Sequence, residues 1–456
     1  MKKLLKAVRQ LYLAITGSIA FWPTLIAIVF FLLALVMVRF EGTPLSVYLE
    51  RQIPLFKNVK EDVDNARLII NVLATGTISL TVFSFSMVMI VLSQATSNLS
   101  PRVVPGLISD KTHQVVLGVN TGTIIYAFFL MLSFKTEGTS SAVIPVLGIL
   151  LGLFFGILCL GLFVFFIHSI SRSIQVDNIL KRVYQKAIKD IEQQGEINVD
   201  DNPAEVTNER HAWSVFQSVE SGYLRRIQKE ALLEFATQQD VIVEVLIPIG
   251  GFMVAGYPFL KFSRDLSQIE DLEESIIACF IFSMEEMIME DYEYNMNQIS
   301  EIATKALSPG INDPGTAANA LDFMTLLLAR RLKAKESSYL RDKNKNIRVY
   351  LKRSSLDTLL FRYLAPIRTY GKEDVKIILK LLESLKILIY LDRYGEKYLP
   401  DLLNHVMAVR DDADNAIKNL EDRHSINLML EELAACFPVE SLKDKVKMLS
   451  ADTKKN

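Results

Sequence analysis

The amino-acid sequence predicts an α-helical membrane protein with four transmembrane helices, followed by a cytoplasmic α+β domain that combines a small β module and a helical C-terminal region. Three observations lead there. The stretch Ala142 to Ile170, AVIPVLGILLGLFFGILCLGLFVFFIHSI, contains no Asp, Glu, Lys or Arg and exceeds the roughly 20 apolar residues that cross a bilayer. Half of the 456 residues (50%) are hydrophobic and mean hydropathy is +0.25, an excess concentrated before residue 171. After that point the chain is mixed in charge, and its apolar residues recur first at strand spacing and then at helix spacing.

Composition narrows the function classes. A formal net charge of -2 gives no general basic character, so no nucleic-acid partner is expected. Cys159, Cys279 and Cys436 lie far apart. They form neither a metal-ligand spacing nor a disulfide framework, which fits a reducing compartment for the soluble part. No metal and no cofactor is expected.

The spans follow in order. Lys2, Lys3, Lys6 and Arg9 look like the start of a signal peptide, but the apolar run continues to Val38. That is too long for a removable segment, so Ile19–Val38 reads as a retained first span. Phe21 and Trp22 suit the headgroup level. Span two, Ala66–Ser93, places Asn71, Thr75, Ser79, Ser86 and Ser93 on one narrow helical face, with Thr77, Thr81 and Ser84 opposite. The first five are candidate pore-lining residues, because amides and hydroxyls can wall a water or ion path. Hydroxyls equally serve helix packing by bonding their own backbone. Beyond Arg67 at its start, the span from Leu68 to Ser93 holds no Asp, Glu, Lys or Arg, which argues against charge-coupled transport.

Span three, Val115–Phe134, carries Gly118 and Gly122, beside Asn120, Thr121 and Thr123. Span four carries Gly148, Gly152 and Gly156, every fourth residue on one face. These five glycines predict close helix packing. Arg102, His168 and Arg172 mark the membrane interface. Basic residues gather before span one, between spans two and three (Arg102, Lys111) and after span four (Arg172, Lys181, Arg182, Lys186). With four spans these groups share one side, which predicts a plasma (inner) membrane protein with both termini cytoplasmic.

The domain layout that follows is 1–172 transmembrane, 173–210 helical connector and acidic linker, 211–265 β-rich module, 266–437 mainly helical, and 438–456 a polar tail. SVFQSVESGYLRRI reads as strand, turn, strand, and KEALLEFATQQ as a short helix. DVIVEVLIPIGGFMVAGYPFLKF gives β runs around Gly250 and Gly251. Asp271–Leu307 reads as one long amphipathic helix with Glu286, Glu290, Glu293 and Asn297 on a solvated stripe. TLLFRYLAPIRTYG reads as strand and turn, and Glu373–Cys436 as helical. ALSPGINDPGTAANALDFMTLLLARRL forms a helix–loop–helix corner, with Asp313 capping the second helix and Pro314 at its first position. Ser308, Gly310, Asn312 and Asp313 are a candidate cytoplasmic binding loop, since amides at a helix N-terminus can hold an anion.

Four segments resemble a bacterial family of predicted membrane proteins, domain of unknown function 2254: SQATSNLSPRVV around Arg102, HQVVLGVNTGT from His113, IHSISRSIQV around Arg172 and ALSPGINDPGTA around Asn312. The resemblance implies a membrane location and a shared architecture, and brings no activity with it. Two functions from different classes fit. One is a homo-oligomeric ion channel or permeation protein with a cytoplasmic regulatory domain. The other is a membrane-anchored sensor or scaffold that signals to a cytoplasmic partner. No Ser/His/Asp order, HExxH or Gly-x-x-x-x-Gly-Lys pattern is present, so no enzyme is expected.

Overall fold

The computed structural model describes residues 20–40, 43–44, 48, 63–98, 111–133, 145–173, 175–195, 213–284, 291–334, 339–395 and 397–450. The chain divides into two compact units, Met1–Gln175 and Val176–Asn456.

Unit one contains α1 (Phe21–Phe40), α2 (Val63–Asn98), α3 (Lys111–Leu132) and α4 (Val146–Ser173). All four are long and apolar enough to cross a membrane. Even α1, with 20 residues, covers about 30 Å at the helical rise. Helix α3 packs on α1, α2 and α4. One apolar cluster joins Ala66, Ile70 and Ala74 of α2 to Tyr126 and Leu130 of α3 and Ile149 of α4. A second joins Val88 and Val91 of α2 to Val116 of α3 and Phe166 of α4. The outer surfaces are apolar as well, with Leu25, Ile28, Phe154, Ile157 and Val164 exposed. An exposed apolar surface of this extent suits a hydrocarbon solvent.

Unit two is mixed α+β, then helical. Its strands are β1 (Ser214–Gln217), β2 (Gly222–Ile227), β3 (Val243–Val245), β4 (Phe252–Met253), β5 (Pro258–Phe262), β6 (Phe280–Ser283), β7 (Tyr339–Arg341) and β8 (Ile347–Tyr350). They form a five-stranded sheet, β1-β5-β3-β8-β7, and a three-stranded sheet, β4-β2-β6. Within them β3 and β8 run parallel. Leu224, Val243, Val245, Leu260, Phe262, Phe280 and Val349 fill the core between them. Gly222 has φ +139°, and a Cβ there would lie 2.8 Å from the Ser283 carbonyl oxygen. Glycine therefore lets β6 approach β2.

The helices are α5 (Val176–Gly195), α6 (Lys229–Gln238), α7 (Leu272–Ile277), α8 (Tyr292–Ala306), α9 (Pro314–Lys333), α10 (Leu356–Gly371), α11 (Val375–Asp392), α12 (Leu399–Ala416), α13 (Leu420–Ala434) and α14 (Glu440–Lys443). Helix α5 packs on α8 and α9. The helical connector expected from residue 173 is α5, which begins at Val176 as a helix separate from α4.

Several expectations are corrected. Asp271–Leu307 is not one helix: α7, β6 and α8 occupy it. Phe280 and Phe282 pair across from Ile227 and Leu224 of β2 and meet Phe259 edge-on, with ring centroids 4.6 and 5.5 Å apart, so sheet packing overrides helical periodicity. Glu286 and Glu290 lie outside the described residues. Leu356–Gly371 is a helix, not strand and turn. Ser355 caps it, and Leu356, Leu359, Leu360, Tyr363, Leu364 and Ile367 bury one face despite Pro366. Strands β1 and β2 fall where strand, turn, strand was expected, and each pairs elsewhere in sequence, β1 with β5 and β2 with β4 and β6. The sheets also draw β6, β7 and β8 from beyond residue 265. The expected polar tail is packed over part of its length: Val446 and Leu449 are buried, and Arg410 donates to the Met448 carbonyl at 2.7 Å.

Candidate functional site

In unit one the glycines fall where helices touch. A Cβ on Gly118 would lie 2.8 Å from Ile26 Cδ1 and 3.0 Å from Pro23 Cα of α1, and one on Gly122 would lie 2.7 Å from Phe30 Cγ. Gly148 faces Leu130 at 2.7 Å, while Gly152 and Gly156 face Leu73 of α2 at 3.1 and 2.5 Å. All five contacts are made within one chain. Tyr126 reinforces the third by donating to the Gly148 carbonyl at 2.9 Å.

The polar residues of α2 differ in exposure, with Thr81 half-buried between the two extremes. Asn71, Thr75, Ser79, Ser86 and Ser93 are exposed on the single chain. Ser79 and Ser86 donate to the carbonyls of Thr75 and Val82, at 3.0 and 2.9 Å. On the opposite face Thr77 and Ser84 are buried. On α3, Gln114, Asn120 and Thr123 are buried too, and Cys159 of α4 approaches Thr123 Oγ1 at 3.4 Å. Asn120, named beside the span-three glycines, is an amide within a long apolar run, the signal that marks it in sequence; Gln114 precedes the expected span. His168 and Arg172 are exposed near the end of α4. His113 instead meets Ser169, at 3.4 Å. Arg102 lies outside the described residues.

In unit two the loop between α8 and α9 closes on itself. Asn312 has φ +49°, and its amide donates to the Ser308 carbonyl at 2.9 Å. The Ser308 hydroxyl donates to the Lys305 carbonyl at 2.6 Å. Gly310 is exposed at the tip. Asp313 accepts from the Thr316 amide at 3.0 Å and from the Thr316 hydroxyl at 2.6 Å. These bonds hold its carboxyl below the usual range, the hydroxyl contributing most. The anion at the start of α9 is therefore the chain's own carboxylate.

A second polar cluster was not legible in the sequence. Asp190 of α5 and Asp291 and Asn295 at the start of α8 are buried. Asn295 Nδ2 donates to Asp190 Oδ2 at 2.9 Å and to the Asp291 carbonyl at 3.1 Å. Asp291 caps α8, accepting from the Glu293 amide at 3.1 Å. Glu293 accepts from Ser354 at 2.9 Å and from Arg362 at 3.0 Å. Burial pushes the Asp291 carboxyl up to about 7; the Glu293 and Asp190 charges push the same way, against the Glu293 amide and Arg353. Two further contacts tie α5 to α9: Asn319 to Asp177 at 2.5 Å and Arg330 to Glu192 at 2.7 Å. Asp190 and Asp291 were hidden because each lies in a run that reads as solvated helix surface.

Comparison with known proteins agrees with this architecture. The family described as "Predicted membrane protein (DUF2254)" matches residues 16–387. Uncharacterised proteins of Mycobacterium tuberculosis (strain CDC 1551 / Oshkosh) and Mycobacterium bovis (strain ATCC BAA-935 / AF2122/97) are each 23% identical over 340 residues, covering 73% of this chain. The chain spans 64% of the length of these relatives. No solved structure matches it. With the match running from α1 into α11, the chain belongs to the DUF2254 family of predicted membrane proteins.

Proposed function

We propose that this protein is a non-enzymatic, homo-oligomeric permeation protein of the ion-channel class. In this reading it lies in the plasma membrane, with both termini and a regulatory unit two on the cytoplasmic side. One observation carries the proposal: Asn71, Thr75, Ser79, Ser86 and Ser93 remain exposed along α2, whereas Thr77 and Ser84 opposite are buried. An asparagine amide facing hydrocarbon is unfavourable. The same face turned toward other copies around an axis meets water and its own counterparts. Four helices make too thin a bundle to enclose a pore, so several subunits share one. The basic flanks supply the orientation.

The test is ion flux from sealed liposomes holding purified protein, wild type beside Thr75→Leu/Ser79→Leu. Reduced flux in the variant supports a path along α2. Absence of flux with every ion and pH tried argues for the second reading.

That second reading is a membrane-anchored sensor or scaffold. The buried carboxylates where α5 docks on α8 favour it, because α5 is the first helix after α4 in the chain. Pull-down from membranes with residues 306–318 altered tests the loop as its docking point. An unchanged partner set counts against that role.

A further inference from the structure

We propose that the middle of the four-helix bundle is a binding site for a small neutral hydrogen-bonding molecule of water's size, held by Asn120 of α3 and Ser84 of α2. The site goes beyond the permeation reading, because Ser84 lies on the opposite side of α2 from the exposed polar face.

The packing fixes the level of the two residues. At one end of the bundle Ala66, Ile70 and Ala74 meet Tyr126 and Leu130. At the other, Val88 and Val91 meet Val116. Helices α2 and α3 are therefore antiparallel, and the segments facing each other between the clusters are Thr77–Ser84 and Val119–Thr123. Asn120 is one helical turn from Val116, and Ser84 one turn from Val88, each on the buried face. Cys159 of α4 reaches this layer through Thr123. Two apolar clusters thus enclose one polar layer.

Within that layer most hydroxyls are satisfied locally. Thr77, Thr81 and Thr123 each donate to the carbonyl four residues back, at 2.8, 2.7 and 2.8 Å. Ser84 does not: its Oγ is buried without a protein partner, as are both Oδ1 and Nδ2 of Asn120. Asn120 is 0% exposed and Ser84 4%. Unpaired buried amides are costly, and native interiors pair them, often through water.

The inventory of groups selects the ligand. Asn120 offers a donor and an acceptor, Ser84 offers both, and the bonded threonine oxygens keep lone pairs. A ligand must therefore donate and accept, as water does with its two to four partners. A bare cation would meet the Asn120 N–H group, and no acidic side chain occurs between residues 66 and 93 or 115 and 134 to balance its charge.

The test is X-ray radiolytic labelling of the full-length protein in liposomes, which marks side chains beside bound water. Cys159 reports on the layer and Cys436 on unit two. Labelling of Cys159 that falls several-fold in Asn120→Leu/Ser84→Ala, with Cys436 labelling unchanged, supports the site. No labelling of Cys159 in the wild type, or equal labelling in wild type and variant, overturns it. Should the double variant misfold, Ser84→Ala alone decides by the same comparison.

Discussion

Asn295 of α8 donates to Asp190 of α5 over 2.9 Å, a contact between residues 105 apart in sequence. Around it Ile179, Leu180, Val183, Ala187 and Ile191 bury the apolar face of α5, so the carboxylate is held inside the seam rather than at its rim. A hydrogen bond to a buried carboxylate contributes about 1.5–3 kcal/mol. Asn295→Leu is therefore expected to loosen α5. Hydrogen–deuterium exchange on the full chain would show α5 amides exchanging roughly ten-fold faster or more, each factor of ten being about 1.4 kcal/mol. Unchanged protection would show that the apolar face alone holds the helix.

Asp291 gives this seam a pH dependence. Burial, then the neighbouring Glu293 and Asp190 charges, raise its carboxyl from an ordinary 3.8 to about 7. Between those values the folded chain holds a proton that the unfolded chain has released, so stability falls as pH rises from about 4 to 7. Asp291→Asn keeps a capping side chain and removes the titration. The variant is expected to gain thermal stability over wild type at pH 8 and little at pH 5. Parallel melting curves at the two pH values would refute the shift.

The glycine contacts predict where the bundle is intolerant. A Cβ on Gly122 meets Phe30 at 2.7 Å, and one on Gly118 meets both Ile26 and the Pro23 backbone, whereas nothing lies within 4 Å of one on Gly161. Overpacking costs about 1–3 kcal/mol. Gly118→Ala and Gly122→Ala should lower the melting temperature in detergent, and Gly161→Ala should not. Gly152→Leu should destabilise as well, because Leu73 of the same chain fills its space. Loss of oligomer size without loss of monomer stability would place that glycine at a subunit contact instead.

Local signals were legible and long-range ones were not. The four apolar helices, the glycine spacing and the Asp313–Pro314 corner are written in consecutive residues, and each appears within a few residues of its expected place. Phe280–Ser283 misled because four residues amid a helical period announce a strand only once Leu224 and Ile227 lie beside them. Leu356–Gly371 misled because Pro366 reads as a break, while the buried face on either side of it carries the helix through. The Asp190–Asn295 seam and the Thr123–Cys159 contact each join side chains from separate helices, a juxtaposition that no window of sequence contains.

Asp313 decides what the corner before α9 can bind. Its carboxylate occupies the Thr316 amide and hydroxyl, where an external anion would dock. Because its folded carboxyl lies below the ordinary range, its stabilising effect is present above the unfolded value and lost as pH falls through the folded one. Asp313→Ala should cost about 1 kcal/mol as a lost cap, and Asp313→Asn much less near neutrality. The same replacement vacates the helix end, so phosphate should raise the melting temperature of Asp313→Ala and leave wild type unmoved. Stabilisation of the wild type by phosphate that persists in Asp313→Asn would instead assign the anion to groups beyond this cap, and would return Ser308, Gly310 and Asn312 to the role of a binding loop.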